Sequence, residues 1–290
     1  MLPVERLNSY PSLWLYINKK LTKKQSTLLS QSIANDDIYK ELALLGSVDD
    51  STLATLSDGI VKNTRLTTLD LSGNNNITSY GAKYFVDIMN QNKIINTLKL
   101  HINKYGDEGV GVISKGLETN NTITELHLAD VDVGDEGIIT LASALKTNNT
   151  LTFLNLSNND NISDDSIVAI ADMLKVNNSI AVLNLSDAKY EDEESVVYFA
   201  EALKYNTGLT YLSFNNRLIT QRIIDAFIDM LNYNNTIEHI IYNEQTYLFG
   251  VFDVSTNSIN ILDSLLERNK INNYVRHISL TKMLLRILKL

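Results

Sequence analysis

Histidine side chains are the first candidates in this sequence for binding a metal ion or transferring a proton. The chain has four of them, His101, His127, His239 and His277. His101 and His127 fall in adjacent units of the repeat described below, and Glu125 or Asp130 would have to supply a third ligand for a metal site between them. Outward positions in a repeat more often carry the polar residues of a binding surface. We therefore expect no metal and no cofactor.

Groups of acidic residues recur at regular intervals and are the second candidates for chemistry. They are Asp107-Glu108, Asp135-Glu136, Asp164-Asp165 and Asp192-Glu193-Glu194. Each group precedes or opens a predicted helix, where carboxylates accept hydrogen bonds from free N–H groups and complement the helix dipole. The sequence has no EF-hand loop, phosphate-binding glycine loop, nucleophile elbow or kinase signature. We predict that these acids cap helices and that the chain is not an enzyme.

Composition and charge argue against several classes of partner. The chain has 290 residues, a formal net charge of −9 and no cysteine. A negatively charged chain repels phosphate backbones and anionic lipid, which disfavours nucleic acid and membrane surfaces as partners. The N-terminus lacks a signal-peptide pattern, and no run of about 18 apolar residues occurs. We expect no membrane insertion, and a location in the cytoplasm or, after secretion without a cleaved signal peptide, in a host cell.

A repeated strand pattern positions the candidate residues. Units of the form Leu/Ile-x-x-Leu-x-Leu start at residues 66, 95, 123, 151 and 180, and looser versions start at 209, which ends on Phe214, and at 237. Successive starts are 28 or 29 residues apart, and a fainter unit starts at Tyr39. Alternating leucines of this kind predict a short strand whose leucines face a core.

The second half of each unit predicts a helix. Apolar residues recur four and eight positions after a small residue, as in Gly137, Leu141 and Leu145, and this spacing marks one face of a helix. An asparagine follows at the eleventh position. We expect it to end the helix in the left-handed conformation, which asparagine tolerates. These asparagines are Asn63, Asn92, Asn120, Asn148, Asn177, Asn206, Asn234 and Asn269.

The strand motif and the repeat length resemble the ribonuclease-inhibitor-like subfamily of leucine-rich repeats over residues 39–270. The subfamily's asparagine at the ninth motif position is present as Asn74, Asn103 and Asn159. Four units carry another residue there, so the backbone-bonding ladder that this position forms should be patchy. The replacements are Val131, Ala188, Arg217 and Gln245.

The resemblance implies an α/β solenoid shaped like a horseshoe, with a parallel sheet on the concave face and helices on the convex face. It also implies binding to another protein. The subfamily includes inhibitors that cover an enzyme's active site. Similar cysteine-free repeats rich in asparagine, isoleucine and lysine occur among effectors that bacteria deliver into host cells, which suggests an effector. We expect a chain that is monomeric alone and binds a host protein or an enzyme that it inhibits.

The segments outside the repeats are predicted to cap the core. We assign residues 1–38 to an N-terminal helical cap, residues 39–270 to eight repeat units, and residues 271–290 to a C-terminal cap. An aromatic insertion at 247–252 either folds over the core or contacts a partner. Leu2-Pro3-Val4-Glu5 also resembles the start of an F-box, which leaves a ubiquitin-ligase substrate adaptor as the alternative function.

Strand positions that do not face the core should form the binding surface on the concave face. Phe153, Val182 and Tyr211 occupy one such column on successive strands and should make a continuous apolar strip, which is typical of an interface centre. Lys99, His101, Glu125 and His127 should form the polar side of the footprint. The predicted contact residues are Lys99, His101, Glu125, His127, Phe153, Asn155, Val182, Asn184, Tyr211, Ser213, His239 and Ile241.

Overall fold

The computed structural model describes residues 4–9, 12–214, 220–241 and 256–287. Strands and helices alternate along these residues, one strand and one helix in each repeat. The strands are β1 Val4–Ser9, β2 Ser12–Ile17, β3 Glu41–Gly46, β4 Thr68–Asp70, β5 Thr97–Lys99, β6 Glu125–His127, β7 Phe153–Asn155, β8 Val182–Asn184, β9 Tyr211–Ser213 and β10 His239–Ile241. The helices are α1 Lys23–Ala34, α2 Asp50–Lys62, α3 Ala82–Gln91, α4 Gly106–Leu117, α5 Asp135–Leu145, α6 Asp164–Leu174, α7 Glu193–Leu203, α8 Gln221–Tyr233 and α9 Thr256–Ile287.

The described strands form one sheet in chain order. Strands β2 to β10 are parallel to one another, and β1 pairs antiparallel with β2. Each neighbouring pair of helices from α1 to α9 is packed together. This arrangement confirms the predicted α/β solenoid of strand–helix units.

The core lies between the sheet and the helices. The central leucine of each short strand, such as Leu126 and Leu154, is almost wholly buried, as are helix residues such as Leu141 and Leu145. Sheet and helix residues belong to one continuous hydrophobic cluster. None of the described helices covers the opposite side of the sheet, and we call that side the concave face. A strand or a helix alone could not bury its apolar side, so each unit depends on its neighbours for stability.

The N-terminal segment differs from the predicted helical cap. Strands β1 and β2 pair antiparallel, and of the residues described before β3 only those of α1 are helical. In β2 the buried side chains are Leu15 and Ile17, whereas Trp14 and Tyr16 lie on the concave face. The strand's alternation is hidden in the sequence because its outward residues are apolar too. Val4 and Glu5, from the F-box-like motif, lie in β1 at the edge of the sheet; Leu2 and Pro3 lie outside the described residues.

The asparagines at the helix ends are structural, but the predicted backbone conformation is wrong. Asn63 and Asn92, for example, have φ of −69° and −86° with extended ψ. Their side chains instead join consecutive repeats. The amide of Asn148 donates to the carbonyl oxygens of Leu117 (2.8 Å) and Asn120 (3.1 Å), both in the preceding unit.

The same bonding pattern recurs along the solenoid. The side-chain oxygen of each asparagine except Asn269 accepts N–H groups two and three residues further on. We call this set the asparagine ladder. Buried main-chain groups that would otherwise lack partners are satisfied by it, which stabilises the junction between units. Its members are Asn63, Asn92, Asn120, Asn148, Asn177, Asn206, Asn234 and Asn269.

A second set of asparagines, at the ninth motif position, is patchy as predicted. Asn74, Asn103 and Asn159 are buried and donate to carbonyl oxygens of their own and the preceding strand segments. Val131 and Ala188 take this position in two other units and are buried apolar residues. Arg217 and Gln245 lie outside the described residues.

Aspartates at helix N-termini cap the helix of the following unit. Oδ1 of Asp107 accepts the N–H groups of Gly134 (2.7 Å) and Gly137 (3.0 Å). Asp135 accepts the corresponding N–H groups of Ser163 and Ser166, whereas Asp164 accepts the N–H of Asp192 and the hydroxyl of Ser195. The predicted capping role is confirmed for these acids, but each one caps its neighbour's helix rather than its own.

The C-terminal helix α9 runs from Thr256 to Ile287 without a break at the predicted boundary after residue 270. Asn269 therefore lies inside a helix, although its amide still donates to the carbonyl oxygens of Asn234 and Ile237. The insertion at 247–252 lies outside the described residues. Within the described part of the chain, no helix has the length and apolarity that a bilayer crossing requires.

Candidate protein-binding face

The three-residue strands hold the candidate side chains in fixed columns. The middle residue of each strand is a core leucine or isoleucine, so the residues before and after it project onto the concave face. All twelve predicted contact residues lie on or beside these strands. The first column contains Glu125, Phe153, Val182, Tyr211 and His239, the second contains Lys99, His127, Asn155, Asn184, Ser213 and Ile241, and His101 belongs to a third.

Phe153, Val182 and Tyr211 are direct register partners on β7, β8 and β9. Adjacent parallel strands lie about 4.8 Å apart, so the three side chains form an unbroken line. We call them the apolar row. Each side chain is half-buried rather than fully exposed. His239 extends the row as an exposed residue, with its ring centroid 5.8 Å from that of Tyr211.

A charged pair lies at the N-terminal end of the concave face. Nζ of Lys99 is 3.1 Å from Oε1 of Glu41, across the intervening strand β4. Burial alone would raise the pKa of Glu41, but hydrogen bonds from Ser12, Lys99 and Trp14 outweigh it and hold the pKa below its usual value. The positive charge of Lys99 is therefore already balanced by the carboxylate of Glu41.

Glu41, Trp14 and Tyr16 were not among the predicted contact residues. Glu41 is the register partner of Thr68 on β4, so it continues the first column, and Trp14 continues the second through Ala43. Trp14 and Tyr16 are 37% and 45% exposed, so both side chains are open to a partner. The register of the weak first unit was the sequence signal that could have revealed them.

The two central histidines lie side by side. His127 is hydrogen-bonded through its ring, whereas Nδ1 of His101 is buried without a hydrogen-bond partner among the described residues. Nε2 of His127 is 2.7 Å from Oε1 of Glu125, and the ring centroids of His101 and His127 are 6.1 Å apart. Burial lowers the pKa of His101; the charge of Asp70 opposes the shift, whereas His127 and Lys99 add to it. Among the described residues, no three histidine or acidic side chains are grouped as metal ligands would be. The side chain of His277 is outside that set.

The second column changes from charged to uncharged toward the C-terminus. Asn155 and Asn184 use their side-chain oxygens to accept the N–H groups of Ser157 (3.0 Å) and Ser186 (2.9 Å). Ser213 is buried, and its hydroxyl lies 2.6 Å from that of Ser186. Of the predicted contact residues, Ser213 is thus the least available to a partner, and the two asparagines are open at their amide nitrogens.

Comparison with known families identifies the repeat. A family model described as "Leucine Rich repeat" matches residues 62–86, 119–142 and 147–171. Each of the three matched segments is similar to a leucine-rich repeat. Each matched segment runs from an asparagine of the ladder through a strand into the following helix.

Solved structures share the leucine-rich-repeat fold. A structure titled "Leiomodin-1 Actin-Binding Site 2 (ABS2)" has a TM-score of 0.52 and 22% identity, covering 59% of this chain and 94% of the other. The C-terminal domain of tropomodulin from Caenorhabditis elegans has a TM-score of 0.50 and 15% identity, covering 60% of this chain and 98% of the other. No curated protein matches this chain. At these identities the likeness establishes the fold alone. Leucine-rich repeats are generally protein-interaction modules.

Proposed function

We propose that this leucine-rich-repeat protein binds a partner protein on its concave face, with the apolar row at the centre of the interface, and that binding covers a functional surface of the partner. The observation that carries the proposal is the register alignment of Phe153, Val182 and Tyr211 on three adjacent strands, on the side of the sheet that none of the described helices covers.

The chemical character of these positions supports the proposal. The core of the protein lies on the other side of the sheet, so its packing does not require apolar residues here. Removing a row of two aromatic rings and a valine from water on binding would contribute favourable free energy at about 25 cal/mol for each Å² of apolar surface. Aromatic residues surrounded by polar ones are typical of the centre of an interface.

The surrounding polar groups are largely held in place before a partner arrives. Lys99 is paired with Glu41, and His127 with Glu125. Asn155 and Asn184 are fixed by hydrogen bonds to the main chain. Side chains that are already ordered lose little conformational entropy on binding, which favours affinity.

The wider role is part of the proposal. We infer a non-catalytic inhibitor or effector, related in mode of action to the ribonuclease-inhibitor-like repeats, that acts in the cytoplasm or in a host cell. The cysteine-free composition supports an intracellular site of action. Because the leiomodin-1 structure is named for actin binding, actin is a reasonable first protein to assay alongside unbiased capture.

The test is quantitative affinity purification from lysates of the source organism and of any host. Three full-length baits are compared, the wild type, F153A/Y211A and Y205A/Y233A. Tyr205 and Tyr233 are a matched control because they are 80% and 56% exposed, have ring centroids 6.3 Å apart, and lie at helix ends away from the sheet. We expect one set of proteins to be captured by the wild type and the control and to be depleted on F153A/Y211A. Equal capture by F153A/Y211A would refute the assignment of the concave face.

A further inference from the structure

Two oriented amide groups lie beside the apolar row. The side-chain oxygens of Asn155 and Asn184 accept main-chain N–H groups from Ser157 and Ser186. A main-chain N–H can only donate, so the oxygen must face it and the Nδ2 group must point the other way. Among the described residues neither Nδ2 group has a hydrogen-bond acceptor. Each asparagine therefore offers donors to the concave face and has its acceptor occupied.

The two donors and the apolar row form one continuous feature. Asn155 and Asn184 are register partners on β7 and β8, about 4.8 Å apart. Phe153 and Val182 occupy the neighbouring column of the same two strands. A partner that covers the row must also cover the two amides. Donors buried without acceptors would weaken binding, so the partner has to supply acceptor oxygens.

We propose that Asn155 and Asn184 hold the partner in place by donating to main-chain carbonyl oxygens of the segment that lies on the apolar row. This inference rests on the proposed function, because it assumes that a protein occupies the concave face. It adds the chemistry that the partner must present, which is uncharged oxygen acceptors next to an apolar side.

Charge favours carbonyl oxygens over carboxylates as these acceptors. A carboxylate buried beside Phe153 and Val182 would need a cation to offset its desolvation. Among the described strand residues from β4 to β10, Lys99 is the one lysine or arginine. It lies two strands away from Asn155 and is paired with Glu41. The net charge of −9 also repels an acidic segment at long range.

The chain itself shows which substitution removes the donors while keeping the local turn. Asp70 occupies the same column on β4, and its Oδ1 accepts the N–H of Ser72 at 2.9 Å and the Ser72 hydroxyl at 2.6 Å. An aspartate therefore fits this position and keeps the local turn bond. The variant N155D/N184D should retain the fold while replacing both donors with acceptors. N149D is the control for added charge, since Asn149 is exposed outside the strands.

The probe is a library of random peptides displayed on phage and selected on the immobilised full-length chain. Enriched peptides are synthesised, and their Kd is measured on the wild type, N155D/N184D, N149D and F153A/Y211A. We expect peptides whose binding depends on Phe153 and Tyr211 to bind N155D/N184D at least about tenfold more weakly than the wild type. Their Kd for N149D should equal that for the wild type. We also expect their affinity to vary little between about 50 and about 500 mM salt, because uncharged groups are not screened.

The outcomes separate this inference from the proposed function. Peptides that lose affinity on F153A/Y211A but keep it on N155D/N184D would overturn the donor role and leave the concave interface intact. Enrichment of Asp- and Glu-rich peptides with strong salt dependence would assign the donors to carboxylates and overturn the choice of carbonyl oxygens. If no enriched peptide needs Phe153 and Tyr211 for binding, the proposed function fails, and this inference fails with it.

Discussion

The imidazole ring of His127 lies against the phenyl ring of Phe153, with centroids 4.8 Å apart and ring planes tilted by 33°. The same imidazole is held by Glu125 through Nε2. This contact joins the polar side chains of β5 and β6 to the apolar row, which begins on β7. The two halves of the concave face therefore form one surface. A substitution at His127 should change the interactions of Phe153.

A double-mutant cycle between H127A and F153A should reveal this contact. We expect a coupling of about 0.5–1.5 kcal/mol in the free energy of unfolding, the range typical of aromatic pairs in contact. The measurement is urea unfolding followed by circular dichroism. The control cycle pairs H127A with Y211A, which lies three strands away on β9 and should be additive. Equal coupling in both cycles would contradict the contact.

His101 should titrate below its usual pKa of 6.5, chiefly because of burial. A histidine with a lowered pKa binds fewer protons when folded than when unfolded. Folded stability should therefore fall as the pH drops from the usual value through the lowered one. NMR titration of the ring protons measures the pKa directly, and H101Q should flatten the stability profile over this pH window. A His101 pKa at or above 6.5 would disagree with the structure.

Removing one rung of the asparagine ladder should destabilise the whole protein. N148A leaves the carbonyl oxygens of Leu117 and Asn120 and the N–H groups of Thr150 and Leu151 without their side-chain partner. We expect a loss of about 2–4 kcal/mol in the free energy of unfolding, since these groups stay buried. The adjacent, exposed Asn149 gives the matched control N149A, expected to change stability by less than about 0.5 kcal/mol. Similar losses for both variants would show that the ladder is not the cause.

Acid should weaken the cap that Asp135 provides to the next helix. Burial alone would raise its pKa, but hydrogen bonds from Ser163 and Ser166 outweigh this and hold the pKa below 3.8. The bonded carboxylate contributes stability above that pH, and the contribution is lost as the pH falls through the lowered pKa. D135N should therefore cost about 1–2 kcal/mol at neutral pH. The gap to the wild type should close in acid.

The control for Asp135 is the neighbouring, exposed Glu136. E136Q should leave the urea midpoint almost unchanged at every pH, because no described hydrogen bond joins its side chain to the next unit. A gap between D135N and the wild type that is the same at neutral and acid pH would contradict the capping role.

The repeated part of the fold could be predicted because each unit restates the same pattern. Leu126, Leu154 and Leu183 mark successive strands, and their spacing was enough to place Phe153, Val182 and their neighbours in columns. Side-chain partners were harder to predict. The asparagine at each helix end has the residue type of a left-handed cap, and only the stacked structure shows that its amide reaches the preceding unit.

Features outside the regular repeats could not be predicted for physical reasons. The β2 strand has apolar residues on both of its faces. Its sequence therefore lacks the alternation of apolar and polar residues that would have indicated a strand. The Lys99–Glu41 pair joins residues 58 positions apart and depends on the register of the least regular unit. The turn bonds that orient Asn155 and Asn184 require main-chain geometry that a residue pattern does not contain.

The most direct test of the central claim is the affinity of a purified captured partner for three proteins, the wild type, F153A/Y211A and Y205A/Y233A. Calorimetry gives the Kd, and circular dichroism verifies that the thermal midpoints agree. We predict that F153A/Y211A binds at least about tenfold more weakly, as loss of interface-centre aromatics implies, and that Y205A/Y233A binds as the wild type does. Unchanged affinity of F153A/Y211A, with its fold intact, would contradict binding at the apolar row.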